Sequence, residues 1–280
     1  MKTLLVPTDF SKESIHALEV AAQMARTTGA SIQLLHILEV VNQPSFVASG
    51  EYLPPDPMDR IYVMKMREKA EEALQDIQSE FLQGVSASYI VKAGEVFPTI
   101  EQYLEESKVD LVVMGIKGSS TLNEILVGSN TEKVVRTAKC PVLTVSDQVK
   151  EFDIRKVLIP TDLENGSKPF FDQLLRLQSH YPFDVQLLYV NTPLNFRSTC
   201  QIEDKMRKFL KKFPLENVTF FIIQDYTQEE GIHYFAMQKR PDLIAMLTHQ
   251  RKGLSHFLSG SITEEVIHRT ITPVLTFGVS

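Results

Sequence analysis

The chain says nearly the same thing twice. KTLLVPTDF (Lys2–Phe10) returns as RKVLIPTDL (Arg155–Leu163), and SIQLLHI (Ser31–Ile37) returns as DVQLLYV (Asp184–Val190), both 153 residues later. Three more pairs recur at an offset of 132: VDLVVMG (Val109–Gly115) with PDLIAML (Pro241–Leu247), GSNTEKVV (Gly128–Val135) with GSITEEVI (Gly260–Ile267), and PVLTV (Pro141–Val145) with PVLTF (Pro273–Phe277). Self-similarity at a fixed offset marks a duplicated structural unit, so any fold assigned to one half must also suit the other. The 280 residues suit two ordinary domains. The polar stretch SDQVKEFD (Ser146–Asp153) separates them, giving expected domains 1–147 and 153–280. The offset falls by 21 between Ile37 and Val109, and the surplus is expected in Val40–Arg60, rich in Pro, Gly and Ser, a candidate lid or oligomer contact.

Within each copy, short apolar runs alternate with helical patterns. LLVP, SIQLLHI, SASYIVKAG, DLVVMG and PVLTV read as strands. Between the first two, Ile15, Leu18, Ala22 and Ala25 recur at helical spacing, with Ser11 placed to cap the helix and Gly29 to stop it. A charged amphipathic helix is expected over Val63–Leu82. Such alternation predicts an α/β fold, a five-stranded parallel sheet in each half with helices on both faces. Ligands of such sheets sit beyond the carboxyl ends of the strands.

Two loops lie at such ends. Pro7, Thr8 and Asp9 follow the first strand, where a carboxylate can accept from a base amino group or ribose hydroxyls, or simply cap the next helix. After DLVVM come Gly115, Gly118 and then Gly128-Ser129, opening another helical pattern. Glycines let a backbone approach a ligand, and free amides at a helix start favour phosphate. Ordinary turn glycines explain the same residues. The spacing is neither the Rossmann fingerprint nor a Walker loop.

Taken together, PTDF after the first strand and G-x2-G-x9-G-S after the fourth resemble the universal stress protein family, in two tandem copies covering nearly the whole chain. The resemblance implies a Rossmann-like fold of the adenine-nucleotide α-hydrolase type. It implies pairing of the copies through their last strands as an internal pseudo-dimer, and leaves a further homodimer open. It also implies an ATP, ADP or AMP site, with Mg2+ carried on the phosphates. Position by position, Pro7, Thr8 and Asp9 would border adenine and ribose, Ile37 would wall the base, and Gly94 would turn the chain near it. Met114 and Gly115 would edge the ribose and phosphates. Lys117 and Gly118 would approach the phosphates, and Gly128, Ser129, Asn130 and Thr131 would hold them.

The second copy keeps Pro160, Thr161, Asp162, Gly260 and Ser261, but has Leu247 and Gln250 for the first two glycines and Tyr226 opposite Gly94. It is expected not to bind ATP in the family manner, since a branched side chain at Leu247 takes up room near the ligand.

Formal charge is −6, distributed as −7 in residues 1–147 and +1 in the remainder, so no basic field draws nucleic acid. No apolar run reaches the roughly 18 residues of a membrane span, and the N-terminus lacks a secretory pattern, so a cytoplasmic protein is expected. Cys140 and Cys200 have no disulfide or metal spacing, and no catalytic or metal-ligating residues are assigned. The function these features favour is a nucleotide-binding stress-response regulator with an unknown protein partner. A slow ATP hydrolase or phosphotransferase, and a ligand-free scaffold, are the alternatives.

Overall fold

The computed structural model describes residues 1–39, 57–117, 127–164, 166–249 and 262–279. The first half runs β1 (Thr3–Pro7), α1 (Lys12–Thr28), β2 (Ser31–Leu38), α2 (Pro57–Phe81), β3 (Ala87–Ala93), α3 (Val96–Glu106), β4 (Leu111–Ile116), α4 (Ser129–Thr137) and β5 (Val142–Ser146). The second repeats the order as β6 (Lys156–Pro160), α5 (Lys168–Gln178), β7 (Asp184–Asn191), α6 (Thr199–Lys212), β8 (Val218–Gln224), α7 (Gln228–Lys239), β9 (Leu243–His249), α8 (Ile262–Arg269) and β10 (Val274–Val279).

Local chemistry sets the helix ends. Ser11 caps α1 by accepting from the Ser14 amide at 3.2 Å. Gly29 ends it at φ +71°, a left-handed conformation that costs glycine little. Part of the expected surplus is helix. α2 starts at Pro57, earlier than the expected Val63, and has 25 residues against 14 in α6. Residues 40–56 of the proposed lid lie outside the described residues.

The ten strands form one sheet in the order β3-β2-β1-β4-β5-β10-β9-β6-β7-β8. Every pairing within a half is parallel, and the one between halves, β5 with β10, is antiparallel. Its register puts Leu275 opposite Leu143, Val274 opposite Thr144 and Thr276 opposite Val142. These are repeat-equivalent positions, so a pseudo-twofold axis passes between the two leucines. The side-chain bonds obey it: the Thr144 hydroxyl donates to the Val274 carbonyl at 3.3 Å, and the Thr276 hydroxyl to that of Val142 at 3.2 Å. Apolar layers cross the seam on both faces of the sheet, one through Leu143, Val145, Leu275 and Phe277, the other through Val135, Val142, Ile267 and Val274. Fully burying a side chain of this size stabilises by roughly 1.5–3 kcal/mol. The internal pseudo-dimer is thus one continuous sheet.

Equivalent clamps recur in each half. The Asp110 carboxylate accepts from the amides of Lys2 and Thr3 (2.6 and 3.0 Å), and Asp242 does the same for Arg155 and Lys156 (3.0 and 2.9 Å). One clamp is broken. The Tyr103 hydroxyl donates to Gln33 Oε1 at 2.9 Å, but the equivalent pair is Phe235 and Gln186, and Gln186 Oε1 is buried with no partner. An unsatisfied buried acceptor costs about 1–3 kcal/mol. Phe235→Tyr is therefore expected to raise stability by about 1 kcal/mol, and Tyr103→Phe to lower it by about as much, in urea denaturation. A Phe235→Tyr variant no more stable than the parent would show that Gln186 is satisfied in solution.

Candidate functional site

At the carboxyl ends of the first-half strands lies a cleft of about 570 Å3. Pro7, Thr8, Asp9, Ile37, Met114, Gly115, Lys117, Gly128, Ser129, Asn130 and Thr131 all line it, as parts of four separate elements. Gly118 lies outside the described residues. Gly94 does not line the cleft, although Val96, two residues on, does. Gly94 is held at φ +150°, where a Cβ would sit 2.7 Å from Thr99 Oγ1, so the turn into α3 itself demands glycine. Strand pairing sets Leu38 with Ala93 and Asn191 with Gln224, so the partner of Gly94 is Asp225 rather than Tyr226.

The β1–α1 turn is rigidly made. Thr8 is buried, with its hydroxyl 3.1 Å from that of Ser14. Phe10 takes φ +64°, and its amide donates to Thr8 Oγ1 at 3.2 Å. Asp9 Oδ1 accepts from the amide and hydroxyl of Ser11, at 3.0 and 2.5 Å. Partial desolvation works to raise the Asp9 pKa, but the Ser11 hydroxyl and amide, helped by Ser14, outweigh it and hold the carboxyl below its ordinary value of 3.8. His36 Nδ1–H donates to the Thr8 carbonyl at 2.8 Å, and its ring lies 4.4 Å from that of Phe10. His36 is thus a satisfied residue that props the turn.

Across the cleft, Gly128 precedes α4 in extended conformation, with its carbonyl accepting from Glu132. The first-turn amides of Ser129, Asn130 and Thr131 have no carbonyl of their own helix to bond. Their partial positive charge and the Lys117 ammonium face the same space as the β1 turn. Glu13 and Glu39 line the cleft as well. Neither is among the residues that the sequence singles out. Glu13 could have been found by its place in the first turn of α1, and Glu39 by following Ile37 past the end of β2.

Gly115 has a structural reason that its motif does not reveal. A Cβ built on it would fall inside the Glu13 carbonyl, so the α1 backbone lies directly on β4. The side-chain space at Gly115 is thus filled by a helix, while the residue still lines the cleft. The second half, with Leu247 at this position, is arranged differently. α5 begins at Lys168, one turn later than α1 by repeat position. Gly166, the equivalent of Glu13, lies instead against the Phe213 ring, where its own Cβ would not fit. The second-half cleft is smaller, about 310 Å3. Its β6–α5 turn is otherwise kept: Leu163 sits at φ +61° and its amide donates to Thr161 Oγ1 at 3.0 Å. Gln250 and the Gly260-Ser261 pair lie outside the described residues.

The family model described as "Universal stress protein family" matches residues 1–146 and again 153–277. The chain belongs to the universal stress protein family.

A universal stress protein of Methanocaldococcus jannaschii is 32% identical over 156 residues, 54% of this chain and 85% of its own length. One from Synechocystis is 22% identical over 99% of this chain and all of its own, so the tandem arrangement is shared along its full length. A solved universal stress protein from Archaeoglobus fulgidus superposes with a TM-score of 0.77 at 22% identity, covering 99% of this chain and 98% of that one, which shows the fold.

Among the described residues of this universal stress protein, no group of three His, Cys, Asp or Glu side chains could hold a metal ion, and no helix is long and apolar enough to cross a membrane. Burial pushes the Cys140 thiol up to about 11, which keeps it protonated and unreactive near neutral pH.

Gly115→Leu is expected to reproduce the second-half geometry in the first. The first turn of α1 should unravel, exposing the Ile15 amide that donates to the Ser11 carbonyl, at a cost of about 1–3 kcal/mol. Hydrogen exchange at Ile15 reads this directly, and unchanged protection would sink it. Because the folded Asp9 pKa is depressed, its contribution is present above 3.8 and lost as pH falls through the folded value. The stability gap between the parent and Asp9→Ala, about 0.5–1 kcal/mol at pH 7, should therefore close in acid.

Proposed function

We propose that the first half binds an adenine nucleotide, and that the chain works as a nucleotide-dependent regulatory protein. The observation that carries this is the meeting of the α4 amino end, Lys117 and the β1 turn around one open cleft. The α4 amides and Lys117 suit phosphates, while Thr8, Asp9 and Ile37 suit base and ribose. Asp9, Glu13 and Glu39 outnumber Lys117 in the cleft, so a bare triphosphate would meet net negative charge. That favours a nucleotide whose phosphates already carry Mg2+. One solved family member is a complex with cAMP. The support for this chain is its own cleft.

We take 1–147 and 153–280 as its two domains, acting together in the cytoplasm, where free Cys140 and Cys200 would stay reduced. The described cleft offers no cation besides Lys117 to stabilise phosphoryl transfer, which favours binding over hydrolysis.

The test is titration calorimetry with Mg·ATP beside nucleotide analysis of the denatured, freshly purified protein. One adenine nucleotide per chain is expected. Ser129→Asp puts a carboxylate at the first position of α4, where it favours the helix but repels phosphate. It should weaken ATP at least tenfold with no loss of thermal stability, and Lys117→Ala should weaken it about three- to tenfold. No binding by the parent, or full affinity in Ser129→Asp, would overturn the reading.

A further inference from the structure

The second cleft differs from the first in kind as well as size. In the first, the first turn of α1 supplies Ser11, Glu13 and Ser14 to the wall. In the second, that turn is missing, and the wall passes from Glu164 to Phe170 and Phe171 of α5. Phe170 and Phe171 are themselves almost fully buried (1% and 4% exposed) yet border this cleft, whereas their first-half equivalents, Ala17 and Leu18, do not reach the first one. Leu247 stands at the Gly115 position and lines this cleft, and Gly166, the equivalent of Glu13, is packed onto Phe213. The wall of the cleft therefore borders an aromatic cluster. Phe171 stacks on Phe213 at 4.6 Å and meets Phe209 edge-on at 5.7 Å, and Phe209 also lines the cleft.

The mouth is built and polar. Asn191, buried at the end of β7, holds the following loop by two bonds to Arg197, accepting from its amide and donating to its carbonyl, each 3.0 Å. This sets the Arg197 side chain at the cleft, where Nη2 donates to Glu164 Oε1 at 3.0 Å. Lys205 donates to that same oxygen. A guanidinium has five N–H donors, so most of its fork is not spent on that bond. With Arg197 balanced by Glu164 and Asp162, and Lys205 donating to Glu164 from beside the cleft, the mouth carries no strong net charge. It suits a single negative charge that takes the free side of the guanidinium. The volume of about 310 Å3 is at the lower end for small-molecule sites.

We propose that the second half is a binding site for a compact aromatic carboxylate, its ring system lodged beside Phe170, Phe171 and Phe209 and its carboxylate on Arg197. The duplicated chain then carries two sites of different chemistry. This does not depend on nucleotide binding by the first half.

Naphthoate is the probe, titrated into the full chain by calorimetry with Mg·ATP present throughout to fill any nucleotide site. Binding of one naphthoate per chain is expected. Arg197→Gln should weaken naphthoate at least tenfold while leaving the neutral naphthamide within about twofold. Gln228→Trp, which places an indole at the mouth from the start of α7, should abolish both at unchanged melting temperature. Octanoate, of the same charge but without a ring, should bind at least tenfold more weakly than naphthoate. No naphthoate binding, binding indifferent to both substitutions, or equal affinity for octanoate would overturn the proposal. Loss of nucleotide binding in the first half would leave these outcomes untouched, so the two readings fail separately.

Discussion

The Glu13 carbonyl occupies the place where any side chain on Gly115 would have to go. That one contact brings the α1 backbone down onto β4, and the rest of the first half follows from it. It lets α1 begin at Lys12, so Ser11 can cap the helix and anchor Asp9. It also places Ser11, Glu13 and Ser14 in the cleft wall, opposite the amino end of α4. Interiors are close-packed, so a position with no room for a methyl group cannot accept a leucine by small adjustment. The second half has made the large adjustment, with the start of its helix given up and the freed segment packed on α6.

The seam is what makes this divergence tolerable. β5 and β10 would each be an open sheet edge in an isolated half, with unpaired amides and carbonyls along it. Each covers the other, and the bonds that do so come from Val142, Thr144, Val274 and Thr276, none of which lines either cleft. The pairing that joins the halves is therefore separate from the surfaces that bind. One copy can lose the glycine contact, or the Tyr103–Gln33 bond, without loosening the other.

The clefts also show how weakly a motif constrains its own meaning. Pro-Thr-Asp survives in both halves, and in both it makes the same turn, with the third residue's carboxylate accepting from the amide two positions on. That use needs no ligand. A reading from motif alone assigns such residues to binding because it cannot see the bonds they already make. Gly94 is the same case, required by Thr99 and by its own dihedral angle.

Sequence alone determined the duplication, the alternation of strands and helices, the limits of α1, and the strand ends where a cleft had to lie. These are legible because periodicity and capping are local: Ile15, Leu18 and Ala22 declare a buried face whatever buries it. The pairing of PVLTV with PVLTF came from resemblance, not from the residues' own chemistry. Tertiary structure alone decided that part of the surplus is helix, in an 11-residue-longer α2 (25 against 14), since a charged helix's start leaves little apolar signal. It alone brought Glu13 and Glu39 to the cleft, because their place depends on how α1 and β2 are set against β4. It alone gave Gly115 its reason. A sequence records that a side chain is missing; only the folded chain shows which backbone has taken its place.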